Sequence, residues 1–312
     1  MKRFRILLGL LIFAPVLTLA EVETSTDLEF QVSTRPEAKL ILHQSFIFPF
    51  LQGSSPLTQD NNITAVLSAE IAPVSMNGNA EIIWSPAAFL LLSGGGRAGS
   101  GWPMPLGRGI GINRPVGDYQ EGEVRLAEPD GEAFDGLLWS GWGAATLQFD
   151  LGAVMAGDWN HVLFQARQEF RYAAYSRAGS GDSWIFENDL GENRNGWKYY
   201  ATYVLGYHMP LSPLLDTVAV MAELEKNLYN SPGGDFWGDG LGYWIFSGFV
   251  NLSFNPRLST LLGVQMHTQR NHGSSNFGDR DLFYQDLELI SDGGQRRLLF
   301  SRVAAIVNFK LR

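Results

Sequence analysis

The chain has 312 residues, with 32 acidic against 23 basic side chains, a net charge of −9 and no cysteine. That balance argues against nucleic acid as a partner, and the missing thiols exclude disulfides and a lipid-modified N-terminus. A mean hydropathy near zero does not argue against a membrane, because a barrel dilutes its lipid-facing side chains with a polar lumen and polar loops.

Lys2, Arg3 and Arg5 precede an apolar run from Ile6 to Leu17 and the small residues around Thr18 to Ala20. Residues 1–20 therefore read as a cleaved export signal, too short for an anchor of about 20 apolar residues. Its removal leaves 20 basic against 32 acidic residues and a net charge of −12. Residues 21–37 read as a periplasmic arm or a short added strand.

From residue 38 to the end, apolar and polar side chains alternate. Ser259 to Asn271 places Leu262, Val264 and Met266 on one face and Gln265, His267 and Gln269 on the other. Val162 to Ala174 sets Phe164, Ala166, Phe170 and Tyr172 against Gln165, Arg167, Glu169 and Arg171. The last segment sets Val303, Ala305, Val307, Phe309 and Leu311 against Arg302, Asn308 and Lys310. Side chains of a strand alternate between its faces. Large apolar residues on one face and charges on the other, strand after strand, match lipid outside and a polar lumen inside.

Ten spanning strands are expected, near 38–50, 62–73, 80–93, 137–151, 160–175, 197–208, 216–229, 242–255, 259–271 and 296–311. This is an all-β, antiparallel, up-and-down transmembrane barrel over 38–312. Short turns (Ser75–Asn79, Gly152–Trp159, Met209–Leu215, Asn255–Leu258) alternate with longer connections at 51–61, 94–136, 176–196, 230–241 and 272–295. Short periplasmic turns and long outer loops are the outer-membrane rhythm, and parity then puts both chain ends in the periplasm. Leu28 to Ser33 and Leu282 to Ile290 also alternate, and counting both gives the alternative of twelve strands. Gln44 and Gln168 break the pattern on the lipid face, and Pro86 interrupts the third strand. Trp84, Trp139, Trp197 and Trp244 fall on outward parity near strand ends, as interfacial belts require.

With these features the chain resembles bacterial outer-membrane β-barrel proteins. The resemblance implies residence in the outer membrane, contact with its lipid, and handling by the barrel-insertion machinery. Many members end in an aromatic residue that the machinery reads; this chain ends in Arg312, with Phe309 the nearest aromatic. Barrel proteases carry Asp/His and Asp/Asp pairs at the outer rim. Here His161 and His208 fall at expected periplasmic ends, and His43 falls low on the first expected strand. Barrel phospholipases use a His-x-Ser-Asn set inside a membrane strand, whereas His272-Gly273-Ser274-Ser275-Asn276 lies in a loop and reads as a polar turn.

Inward parity collects the charges. Arg167, Glu169 and Arg171 neighbour Lys198, Glu223 and Glu225 on the next two expected strands. Lys39, His43, Glu70 and Lys310 are expected to cluster toward the periplasmic end, with Arg302 on the same inward face. Buried charges need partners or water. These residues form either a salt-bridge network that fills a narrow lumen or a lining that conducts ions and small solutes. The glycine-rich stretch within 94–136 lacks the Gly-Lys-Ser/Thr ending of a phosphate loop and the strand–turn–helix context of a dinucleotide turn. Asp235 to Gly240 lacks the spacing of a calcium loop. No HExxH, CxxC or GxSxG is present, so no catalytic, cofactor or metal site is expected. The expected function is a narrow passive channel or a largely closed surface protein; the alternative is an adhesin or ligand-binding barrel that uses the long outer loops.

Overall fold

The computed structural model describes residues 22–35, 37–103, 109–115, 124–130, 132–155, 157–179, 182–187, 189, 193–210, 212, 214–228, 242–270, 288–289 and 296–311. The export signal and the His272 to Asn276 and Asp235 to Gly240 segments lie outside them. In chain order the strands are β1 (Glu23–Ser33), β2 (Ala38–Pro49), β3 (Asn62–Ala72), β4 (Ser75–Ala87), β5 (Leu90–Gly101), β6 (Ile110–Pro115), β7 (Val124–Asp130), β8 (Leu138–Asp150), β9 (Val162–Tyr175), β10 (Ser183–Phe186), β11 (Gly196–His208), β12 (Leu215–Asn227), β13 (Tyr243–Asn255), β14 (Leu258–Arg270), β15 (Glu288–Leu289) and β16 (Arg296–Lys310).

Twelve of these close into an antiparallel barrel in the order β1-β16-β14-β13-β12-β11-β9-β8-β5-β4-β3-β2, with β1 paired back to β2. The count is twelve rather than ten, and the two added strands are 23–33 and 90–101. Of the pair that the alternation offers, only the one at 28–33 joins the barrel. Glu288–Leu289 instead pairs with β7 in a separate four-stranded sheet, β10-β6-β7-β15.

Three local features relocate the early turns. The Asn77-Gly78 pair lies inside β4, paired to Glu70 and Ala69, and the β3–β4 turn is Pro73-Val74. Pro86 stands where the β4–β5 register shifts, ending β4 at a hairpin. Gly95 then lets β5 run under an indole, since a Cβ there would come within 2.6 Å of both Trp142 and the Ala80 carbonyl.

One end of the barrel carries residues 22 and 311 with the connections at 50–61, 88–89, 151–161, 209–214 and 256–257. The other carries the turns at 34–37 and 73–74 and the long connections at 102–137, 176–195, 228–242 and 271–295. The 51–61 segment therefore sits at the terminal end, opposite the long loops, because the extra strand β1 inverts the direction of the strands that follow until β5 restores it.

The outer face is apolar. Val220 is 58% exposed and Val264 49%, both midway along their strands, and Leu205, in register with Val220, is 53% exposed, alongside Leu42, Leu67, Ile82 and Phe164. A continuous belt of this kind is stable only against acyl chains. Both glutamines on that face find side-chain partners. Thr26 donates to Gln44 at 2.7 Å, while Tyr199 donates to Gln168, which donates to Tyr203 at 3.4 Å. Trp139, Tyr172 and Trp197 pack in a row, with centroids 5.4 and 5.5 Å apart, near the long-loop ends of β8, β9 and β11, where an interfacial girdle belongs. The replacement Val264→Arg, at the centre of β14, is expected to cost about 2–4 kcal/mol in lipid. Urea unfolding in vesicles checks it; no loss of stability would mean this face does not meet lipid.

Candidate functional site: a constricted lumen

The side chains opposite the lipid belt converge on one another across the barrel. Arg167, Glu169 and Arg171 occupy alternate positions of β9, so all three share one face. Glu169 is the acceptor between them, 2.8 Å from Arg167 and 2.6 Å from Arg171. Arg167 also reaches Ser93 on β5 at 3.3 Å and Glu81 on β4 at 3.6 Å. Those strands are two and three places away in the sheet, a reach available only on the concave side. Arg171 stacks between Trp142 and Tyr200, 4.9 and 5.2 Å from their centroids. Beside it, Lys198 pairs with Glu225 at 2.6 Å. Glu223 lies one inward step along β12 from Glu225, opposite Thr202 and Ile245.

A second cluster lies at the long-loop end. Glu70 accepts from Lys39, Arg97 and Asn77, each at 2.9 Å. Lys39 and Glu70 do meet, but not near the terminal end, because β2 starts at the long-loop end. Lys310 is at the opposite end, paired in register with Asp27 and lining a hollow of about 540 Å³ with Asn251, Arg257 and Asn308. His43 stands between the two ends, 2.8 Å from Ser68. Arg302 pairs with Glu37 and donates to Gln265 at 2.8 Å.

A loop strand crosses this mouth. β10 belongs to the connection between β9 and β11, and it pairs with β6 from the connection between β5 and β8. Ile110, Ile112, Trp184 and Phe186 are buried against Leu138 and Tyr175 at the long-loop ends of β8 and β9. Asn195 ties the loop down, accepting from the Trp184 indole at 3.0 Å and from the Tyr175 backbone at 2.8 Å. Phe186 lies under Arg97, 5.3 Å from its guanidinium. The next residue, Glu187, reaches across to β5, β4 and β2. It accepts from Ser75 at 2.8 Å and pairs with Lys39 at 3.3 Å and Arg97 at 3.8 Å. Its backbone has φ 59°, a left-handed conformation uncommon for a residue with a side chain.

Sequence reasoning did not reach Glu187, Arg97 or Glu81. Arg97 lies in a glycine-rich strand whose outward positions Gly94 and Gly96 carry no apolar signal. Glu187 had no strand to give it a parity.

No family model matches the chain, and no curated protein does. Among solved structures it is similar to the KdgM porin (8% identity, TM-score 0.39, 92% of this chain and 99% of the other) and the NanC porin (8%, 0.42, 93% and 100%). It is likewise similar to the β domain of the Bordetella autotransporter BrkA (10%, 0.39, 93% and 98%). These values carry no function across. The closed antiparallel barrel with its apolar belt and aromatic girdle is the architecture of a bacterial outer-membrane protein.

Proposed function

We propose that this barrel is a narrow passive channel for ions and small polar solutes, with its long-loop mouth facing the exterior and held nearly shut by β10. The observation that carries this reading is Glu187. It anchors an apolar strand from the β9 side of the barrel to Arg97, Ser75 and Lys39 on β5, β4 and β2, the last five strands away around the wall, above a lumen lined by mixed charges. An unlined or grease-filled interior would need neither the ladder around Glu169 nor the anchor. Mixed signs favour weak ion selectivity. We assign no enzymatic role: the pairs His161–Asp150 and His208–Asp216 lie at the terminal end rather than at the exterior mouth.

Reconstitution into planar bilayers tests this. Discrete openings of small conductance are the expected result, and a correctly folded protein that passes no current ends the channel reading. One observation favours the surface-recognition alternative: β10, β6, β7 and β15 join three different loops into one sheet, an ordered platform at the exterior. A barrel that is silent electrically yet binds an external ligand through that sheet would establish it instead.

A further inference from the structure

At the terminal mouth a second row of side chains runs around the wall, apart from the constriction. His161 precedes β9 and His208 ends β11, and the His208 amide donates to the His161 carbonyl at 3.0 Å, so the two stand directly across from each other. Their rings meet edge to face with centroids 5.9 Å apart. Each ring has its own carboxylate. Asp150 Oδ2 is 2.9 Å from His161 Nδ1, and Asp216 Oδ1 is 3.2 Å from His208 Nδ1.

Both carboxylates are anchored by other donors. The Gly152 amide donates to Asp150 at 2.9 Å, while Asn251 and Thr217 donate to Asp216 at 3.0 and 3.1 Å. The position of the His161 ring also depends on Gly152, where a Cβ would come within 2.3 Å of it. The four groups lie in β8, just before β9, in β11 and in β12, four successive barrel strands, at one end of the barrel.

We propose that His161 and His208 together bind one divalent transition-metal ion of the zinc, copper or nickel kind. The chemistry follows from the second contact of each ring. A neutral imidazole whose Nδ1–H points at a carboxylate presents the lone pair of Nε2, and that carboxylate fixes the tautomer and raises ligand basicity. With metal–nitrogen bonds of about 2.1 Å, two imidazoles on one ion stand with centroids roughly 5–6 Å apart. The two aspartates supply the negative field that draws a cation to the mouth, and calcium or magnesium would be a poor match for a nitrogen pair. Among the described residues no three such ligands come together, so the remaining coordination positions fall to water. Such an ion would strap β9 to β11 at the rim, whether or not the barrel conducts.

The test is calorimetric titration of zinc chloride into the full folded barrel, produced without a polyhistidine tag. One ion per chain is expected. His161→Ala and His208→Ala should each weaken binding at least tenfold, and Asp150→Asn or Asp216→Asn about 10–100-fold. Copper(II) electron paramagnetic resonance on the same protein should show coupling to two nitrogens, falling to one in either histidine variant. Resistance of each variant to heat-induced unfolding on gels shows that the barrel has closed. Zinc binding unchanged in folded His161→Ala and His208→Ala overturns the proposal, as does copper held by oxygen ligands only, or no zinc bound.

Discussion

Replacing Glu187 with alanine should raise the mean current through the barrel. The anchor consists of one hydrogen bond and two ion pairs, on a side chain about a quarter exposed. Partly solvated pairs contribute about 0.2–1 kcal/mol each, and a hydrogen bond to a carboxylate, here partly exposed, about 1.5 kcal/mol. Against them stands the left-handed backbone of Glu187, which costs about 1 kcal/mol. Alanine bears the same backbone cost, so the variant loses the whole anchor, roughly 2–3 kcal/mol. That loss shifts the balance between seated and released loop at least tenfold, because 1.4 kcal/mol is a factor of ten.

Glu187→Gln keeps the shape and the bond from Ser75 but not the charge, so its effect should be smaller and in the same direction. The apolar contacts of Trp184 and Phe186 remain in both variants, so the strand is loosened rather than expelled. Single-channel recording reads the outcome. If Glu187→Ala leaves conductance and open probability as in the unmodified protein, the loop does not limit passage.

Removing the carboxylate of Glu169 should destabilise the barrel and turn its selectivity toward anions. Glu169 is 5% exposed and sits between two guanidiniums. Breaking a buried pair by deleting one partner costs about 3–5 kcal/mol, because it strands the opposite charge. Arg167 and Arg171 are each about 30% exposed and keep some water, so the lower end, about 3 kcal/mol, is expected for Glu169→Ala. The trio of Arg167, Glu169 and Arg171 carries one net positive charge, and the variant carries two. The reversal potential in a salt gradient should therefore move toward that of the anion, and urea unfolding in vesicles should shift to lower denaturant. An unchanged reversal potential in a conducting variant would place these residues away from the ion path.

Most barrel strands were legible because each carries its own evidence. In β9 the outward Phe164, Phe170 and Tyr172 and the inward Arg167, Glu169 and Arg171 state both environments within nine residues, and the same alternation holds for β14 and β16. Strand β5 hid because its outward side is Leu92, Gly94, Gly96 and Ala98. Glycine bears no side chain to mark a face, and here the space over Gly95 is filled from the neighbouring strand by Trp142. The turn after β3 was misplaced because Asn77-Gly78 is a strong turn pair, whereas the structure uses the Asn77 side chain to satisfy Glu70.

The division at the lumen follows the same logic. Pairs within one strand, such as Arg167 with Glu169, follow from a period of two. Partners on other strands, such as Glu81 for Arg167 or Arg97 for Glu70, need the register and the closure.

What the amino-acid order determined alone is the solvent assignment: which side chains meet lipid and which meet one another, since alternation is a local property of an extended backbone. What only the tertiary structure decided is where the ends lie and what fills the mouth. Strand number sets which connections share an end, and two hidden strands moved Lys39 and Glu70 from the terminal end to the long-loop end. The seat of Glu187 depends on a loop that has no periodicity to read and on Lys39 and Ser75, each more than 100 residues away in sequence and brought within hydrogen-bond distance only by closing the sheet.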